Sequence, residues 1–442
     1  MTMLRSSVSD CEGFHRRDFL KIGAGGLFGL TLPQLLRLEA RAAHGEQRKR
    51  RANAVVMLWL GGGPSHQDMW DLKPEAPEGI RSLFKPIPTK AGSVKISEHL
   101  PKTAQVADKI SIVRSLYHSI PAHGPASVFM STGNKPTPAL DYPSMGSLTS
   151  KLMTTDKGVP PYVSFGDPRG DRGGVAGYLG TAYNPFIVES NGGRNPSFRV
   201  RGIQLPGGFT LADLEKRDKL FQGFDETFRS LDKSADLVEG LDAFHKQALD
   251  ILRSDKTKKA FDLNQEAQIM RDRYGQTPFG QGVLAARRLI ESGVRFVTIS
   301  LGGWDTHNKN FDALSQRLLP SLDQTLSSLV EDLHARGLLD STIVYCAGEF
   351  GRTPKINKNA GRDHWARSMS VMLAGGGLKR GYAHGSTDAQ GMAPATEPCT
   401  PDDVCATIFH CLGIDPHTEL TTSTNRPIQL FREGRVIEKL LA

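Results

Sequence analysis

The stretch "VRFVTISLGGWDTH", residues 294 to 307, decides the architecture. Val294 to Leu301 is rich in β-branched and apolar residues, has the length of a buried strand, and stops at two glycines. Just beyond them stand Asp305 and His307. In extended backbone, residues i and i+2 share a side. This carboxylate and this imidazole then face one point, as two ligands of a metal ion must. A helix cap and a backbone-bonded histidine would leave the same pair, so its meaning depends on partners elsewhere in the chain.

Three further segments repeat the design of an apolar run followed by glycine or polar residues: "NAVVMLWLGGG" (53–63), "STIVYCAGEFG" (341–351) and "MSVMLAGGG" (369–377). All four segments are expected to be buried parallel strands. Helical patterns lie between them, "GVLAARRLIES" (282–292) before the first strand quoted and "LPSLDQTLSSLVEDLHARG" (319–337) before residues 341–351. Strands alternating with helices predict an α/β fold, a three-layer α/β/α sandwich with a mostly parallel central sheet. Sites in such folds form outside the carboxyl ends of the strands. Ser65, His66 and Asp68, Asp305 and His307, and Glu349 and Arg352 all fall at those ends. A single domain is expected over 53–440, with a charged, helix-rich insertion at 208–274 and long loops rich in Gly, Pro and Asn over 118–210.

Hydrophobic residues make up 38% of the 442 and charged ones 23%, the balance of a soluble globular protein. Nothing after the N-terminus approaches the roughly 20 apolar residues of a membrane span. Residues 1–43 read differently. Arg16-Arg17-Asp18-Phe19-Leu20-Lys21, a Gly-rich apolar stretch and Ala40-Arg41-Ala42 form the pattern of a twin-arginine export signal. They imply the twin-arginine export machinery as a partner and a periplasmic or secreted location; an uncleaved signal would instead hold the protein at a membrane surface. Residues 44–52, with Arg48-Lys49-Arg50-Arg51, read as a basic tether. The formal charge of +8 falls to +6 without the signal. That suits an anionic substrate, and the absence of an aromatic-interleaved basic patch argues against nucleic acid. Cys346 sits in an apolar strand as a buried thiol, while Cys399, Cys405 and Cys411 leave a disulfide open without fixing its pairing.

Four motifs carry the chemistry: "GGGPSHQDMWD" (61–71), "GGWDTH" (302–307), "GEFGRTP" (348–354) and "GRDHW" (361–365). Together they hold His66, Asp68, Asp305, His307, Glu349, Asp363 and His364. Mixed Asp, Glu and His ligation suits zinc first, then manganese or iron, rather than soft copper. These motifs, with "YPSMGSL" (142–148), in this order, closely resemble the family known as domain of unknown function 1501. Its members are typically exported and often labelled sulfatases, and the family is similar to the alkaline phosphatase and sulfatase superfamily.

The resemblance implies an alkaline-phosphatase-like sandwich with one or two divalent ions, zinc, manganese, calcium or iron, at the sheet edge. It implies that Asp305 and His307 are the superfamily's Asp-and-His metal pair, at a tighter spacing than its usual i, i+4. Glu349 stands for its strand-end Asp, with Phe350 replacing the following His or Asn, and His364 is the later metal histidine. At the first strand the superfamily has Asp where this chain has Gly61-Gly62-Gly63, a vacancy for Asp68 or His66. "HGPASVFMSTG" (123–133) resembles the sulfatase signature, with His123 at the nucleophilic Cys or Ser and Ser127 at its Arg. His123 would accept a phosphoryl group, bind metal or act as acid and base. Ser65 is an alternative nucleophile, and Arg352 is placed to clamp an anionic oxygen. The expected function is an exported metal-dependent hydrolase of phosphate or sulfate esters, acting on sulfated or phosphorylated carbohydrates. The alternative is a secreted, non-catalytic metal- or carbohydrate-binding protein on the same fold.

Overall fold

The run Ala54–Gly61, AVVMLWLG, is buried along almost its whole length. An apolar strand without alternation must be covered on both faces, so helices have to lie on either side of it. The computed structural model describes residues 50–168, 174–193, 196–200, 250–251 and 254–442. Nine strands form the central sheet: β1 (Ala54–Gly61), β2 (Ile110–Leu116), β3 (Tyr162–Phe165), β4 (Phe186–Ser190), β5 (Phe198–Val200), β6 (Phe296–Gly302), β7 (Thr342–Ala347), β8 (Met369–Ala374) and β9 (Tyr382–His384). Across the sheet the order is β9-β2-β8-β7-β1-β6-β3-β4-β5. β1 lies between β6 and β7 and is parallel to both. Among the described strands of this sheet, only β8 and β5 run against their neighbours.

The expectation for residues 369–377 needs correction, because β8 is antiparallel to β7. No helix carries the chain back across the sheet here. It leaves β7, folds through a short antiparallel ladder between Gly351–Arg352 and His364–Trp365, and re-enters from the same edge. A strand entered that way must run in reverse. Residues 118–210 also hold more regular structure than their Gly, Pro and Asn content suggests. β3 and β4 are only four and five residues long, too short for an apolar run to stand out. Arg114 masks β2 in the sequence; its guanidinium bonds the carbonyls of Trp70 and Lys95.

Among the described residues, the longest helices of the outer layers are α1 (His123–Thr132), α2 (Met145–Leu152), α3 (Pro278–Glu291), α4 (Leu319–Ala335) and α5 (Pro401–Cys411). Val56, Leu58 and Leu60 of β1 share one core with Leu284 of α3 and Leu326 of α4. Val55, Met57 and Trp59 point the other way, into a core with Met130, Leu148 and Phe409. The three-layer sandwich follows from this alternation. Local signals set the helix starts: Thr277 caps α3 by accepting from Gly280 N, with Pro278 in the first turn.

The described part of residues 50–442 is one compact unit. Arg51 and Ala52 already belong to it, since both backbone N–H groups donate to Cys411 O, at 2.9 and 2.8 Å. The expected export signal, residues 44–49 and most of the 208–274 insertion lie outside the described residues; of the insertion, helices Asp255–Phe261 and Gln268–Tyr274 are described. No helix among the described residues is long and apolar enough to cross a membrane. Cys346, Cys399, Cys405 and Cys411 are free and buried, and burial pushes the Cys346 and Cys399 thiols up to about 12.

Candidate metal centre

Register brings the motifs side by side. Gly61 pairs with Gly302, and Trp59 with Ala347, so the chain leaves β1, β6 and β7 at one edge. Two glycines make the fit possible. Gly62 and Gly63 have φ of 120° and 79°. A Cβ on Gly62 would lie 2.3 Å from Asp305 N, and one on Gly63 2.6 Å from the Phe350 ring. Gly62 N donates to Glu349 Oε1 at 2.9 Å. Bare backbone thus fills the place where an acidic strand end was expected, and Asp305 and Glu349 close in against it.

Three imidazoles converge on Asp305. His307 Nε2 lies 3.0 Å and His364 Nε2 3.2 Å from Asp305 Oδ1, and the two nitrogens are 3.0 Å apart. His123 Nε2 is 3.5 Å from Asp305 Oδ2. His123, Asp305 and His364 also offer donor atoms that all lie within 4.8 Å of one another. The other nitrogen of each ring is fixed: His307 Nδ1 to Asp363 Oδ1 at 2.7 Å, His364 Nδ1 to Pro121 O at 2.8 Å, and His123 Nδ1 to Glu349 Oε1 at 2.6 Å. Carbonyls and ionised carboxylates only accept, so each Nδ1 donates, and a ring in its neutral form then turns a lone pair outward from Nε2.

Two nitrogen lone pairs and a carboxylate oxygen therefore face one another at contact distance. A shared proton or a metal cation must resolve that repulsion. Metal-bound histidines have this kind of outer partner on the second ring nitrogen. The spacings also approach the roughly 3.3 Å edge of a tetrahedron with metal–ligand bonds of about 2.0–2.1 Å. Glu349 Oε2 is buried without a hydrogen-bond partner. The residues fit a metal ion. An imidazole-rich set favours zinc, manganese or iron, whereas calcium takes oxygen ligands.

Arg352 sets the electrostatics. Burial would raise the Asp305 pKa, but the hydrogen bond and charge of Arg352 outweigh it, helped by His364 and His307, and hold the carboxyl at about 2. Arg352 is wholly buried. Its Nε donates to Gly63 O at 2.8 Å, Nη1 to Arg362 O at 3.0 Å, and Nη2 to both Gly62 O and Asp305 Oδ1. With at most one of its five N–H groups left, it supports the site from behind instead of facing a substrate oxygen. Phe350, also buried, sets its ring centroid 4.9 Å from His123 and 4.5 Å from His364. An apolar wall stands where the resemblance suggested a polar residue.

Of the residues singled out in the sequence, Asp305, His307, Glu349, His364 and His123 come together, and Ser65, His66 and Asp68 do not join them. A 3₁₀ turn over His66–Asp68 directs these side chains into the protein. Both Asp68 oxygens are taken by Arg362, at 2.9 and 3.0 Å, and Oδ2 also accepts from Asn310 and from Ser65 Oγ, at 2.8 and 2.6 Å. His66 is buried, and desolvation lowers its pKa to about 4. Its Nε2 lies near Ser368 Oγ and Gly391 O, at 3.3 and 3.4 Å. Two contributors escaped the sequence reading: Arg362 neutralises Asp68, and the Pro121 carbonyl orients His364. A main-chain partner such as Pro121 O leaves no side-chain signal to read. His118 has a structural part, its Nε2 donating to Glu349 O at 2.8 Å.

No curated protein matches the sequence. Among solved structures, the PsFucS1 sulfatase from Pseudoalteromonas sp. is similar at 12% identity and a TM-score of 0.36, over 87% of this chain and 72% of the other. The phosphonate monoester hydrolase from Silicibacter pomeroyi is similar at 11% identity and a TM-score of 0.34, over 88% and 76%. The lipoteichoic acid synthase LtaP from Listeria monocytogenes is similar at 10% and 0.34, over 83% and 73%. Likeness at this level carries no functional argument. The sequence itself is more decisive: residues 52–441 match one family model, so this chain belongs to the family described as "Protein of unknown function (DUF1501)".

Proposed function

We propose that this protein is an exported, metal-dependent hydrolase of phosphate or sulfate esters. The observation that carries the reading is the meeting of His307 Nε2, His364 Nε2 and Asp305 Oδ1 within 3.2 Å, with both Nδ1 atoms already committed to acceptors. Asp305, His307 and His364 would hold the ion, zinc first. When bound, the ion supplies positive charge for the transferring group and lowers the pKa of water to about 7. Asp363 keeps His307 in the ligating tautomer, and Pro121 O does the same for His364.

His123 has a separate task. Its Nδ1–H is anchored on the buried Glu349, which leaves Nε2 free to take a proton from the attacking water. The ester-hydrolase assignment draws support from the motif resemblance, in which His123 occupies the nucleophile position. The substrate class is an anionic ester, a sulfated or phosphorylated carbohydrate, in keeping with the chain's positive balance. Residues 1–43 are assigned to twin-arginine export, which delivers folded protein to the periplasm or the exterior.

A second reading has its own support. Ser65 is tied to Asp68 and Arg352 is turned inward, so neither a serine nucleophile nor an arginine clamp faces the centre. That favours a secreted metal- or carbohydrate-binding protein without esterase chemistry. Hydrolysis of aryl phosphate and aryl sulfate by zinc- or manganese-loaded protein separates the two. His123→Gln should lower kcat by about 10²–10⁴-fold with metal content unchanged, and His364→Ala should lose both metal and activity. Metal-loaded protein inert toward both esters would leave only the binding protein.

A further inference from the structure

We propose that Asn357 is a positioning residue of the centre: its side-chain amide fixes both the backbone of His307 and the Asp363 carboxylate that sets the His307 tautomer. This deepens the metal reading above and rests on it. Asn357 Nδ2 donates to His307 O at 2.9 Å and to Asp363 Oδ1 at 3.3 Å. The same Asp363 oxygen accepts from His307 Nδ1 at 2.7 Å. One amide thus ties together the main chain of a ligand, its ring and the outer carboxylate. The amide cannot be turned over, because its Oδ1 accepts from the N–H groups of Asn359 and Gly361, at 2.9 and 3.0 Å.

Asp363 needs such a tether. Its side chain is 53% exposed, and an exposed ion pair gains little for the side-chain freedom it gives up. The loop that carries Asn357 is also shaped for the contact. A Cβ on Gly361 would lie 1.9 Å from His307 O, so the loop closes over that carbonyl only with glycine there. Lys309 N donates to Asn359 O at 3.0 Å, and Asn310 N to Ala360 O at 2.9 Å. Lys309 and Ala360 both have left-handed backbone, with φ of 48° and 51°. Residues with a Cβ keep that conformation only where their surroundings over-determine it, most often at functional sites. An Asx turn alone would need just the contact from Oδ1 to Asn359 N. The two contacts of Nδ2 are surplus to the turn, and both serve His307.

Asn357→Ser separates the two halves. Serine keeps an oxygen that accepts from the N–H two residues on, so the turn survives, but it is too short to reach His307 O and Asp363. With the full chain and Zn²⁺, measured by competition with a chromophoric chelator, Asn357→Ser should weaken binding by about tenfold and Asp363→Ala by about 10–100-fold. The double variant should lose clearly less than the product of the two, because both act on one imidazole. In metal-free protein with ¹⁵N-labelled histidine, at a pH where His307 is neutral, the wild type should show its Nδ1–H tautomer and Asn357→Ser a mixture. A merely structural asparagine would leave that signal alone. Wild-type affinity with an unmoved tautomer in folded Asn357→Ser, or losses that multiply in the double variant, would overturn the inference while leaving the metal centre intact. Wild-type protein that binds no Zn²⁺ would overturn the centre and the inference with it. If Asn357→Ser does not fold, Asp363→Ala decides, since wild-type affinity there would remove the carboxylate through which Asn357 acts.

Discussion

Asp305→Asn should strip the protein of its divalent ion while leaving most of the fold in place. The substitution keeps the shape of the side chain and removes its charge. Asp305 Oδ1 is the common neighbour of His307 Nε2, His364 Nε2 and Arg352. Without the anion, two imidazole lone pairs and a buried guanidinium remain with nothing to balance a cation. Loss of an outer partner of a metal ligand typically costs about 10–100-fold in affinity. Loss of the ligand itself should therefore exceed about 100-fold, read as Zn²⁺ affinity by competition with a chromophoric chelator. Circular dichroism on the same samples separates lost binding from lost structure. Retention of wild-type affinity by a folded Asp305→Asn protein would remove Asp305 from the centre.

Asp68→Ala should do the opposite: destabilise strongly and leave the ion in place. Asp68 and Arg362 form an ion pair in which both side chains are fully buried. Removing one partner of such a pair costs about 3–5 kcal/mol, because a buried charge is left uncompensated. Asp68→Ala and Arg362→Ala should each lower the unfolding free energy by that amount, read from urea denaturation as a lower midpoint. The double variant should lose less than the sum, since the stranded charge is gone. The pH dependence follows from the same pair. Burial would raise the Asp68 pKa, but the charge and hydrogen bonds of Arg362 hold it below the ordinary carboxylate value. A depressed folded pKa gives stability that is complete above the ordinary carboxylate range, about 3.9, and is lost as pH falls through the lower folded value. Asp68→Ala should flatten that acid limb. Loss of metal from the folded variant would instead return Asp68 to the ligand set.

The sequence reveals the sheet where burial on both faces leaves no alternation, as in β1 and β7. The direction of β8 was hidden because it depends on what lies between residues 348 and 368, where two ladder segments stand in place of a crossover helix. Asp305 and His307 were legible from spacing alone, and their side chains do meet. Ser65, His66 and Asp68 show the limit of the strand-end rule. They follow β1 directly, yet the 3₁₀ turn carries them inward to Arg362, Asn310 and Ser368. Arg352 lies beside Asp305, but its orientation was not readable, because main-chain carbonyls decide it.

X-ray absorption at the zinc edge of the loaded, full-length protein tests the metal centre most directly. The expected spectrum has a first shell of about four nitrogen and oxygen atoms near 2.0 Å, with the outer scattering of at least two imidazoles, and His364→Ala, which loses the ion, does not give it. A spectrum without imidazole scattering, or one that His364→Ala leaves unaltered, would contradict a cation held by Asp305, His307 and His364.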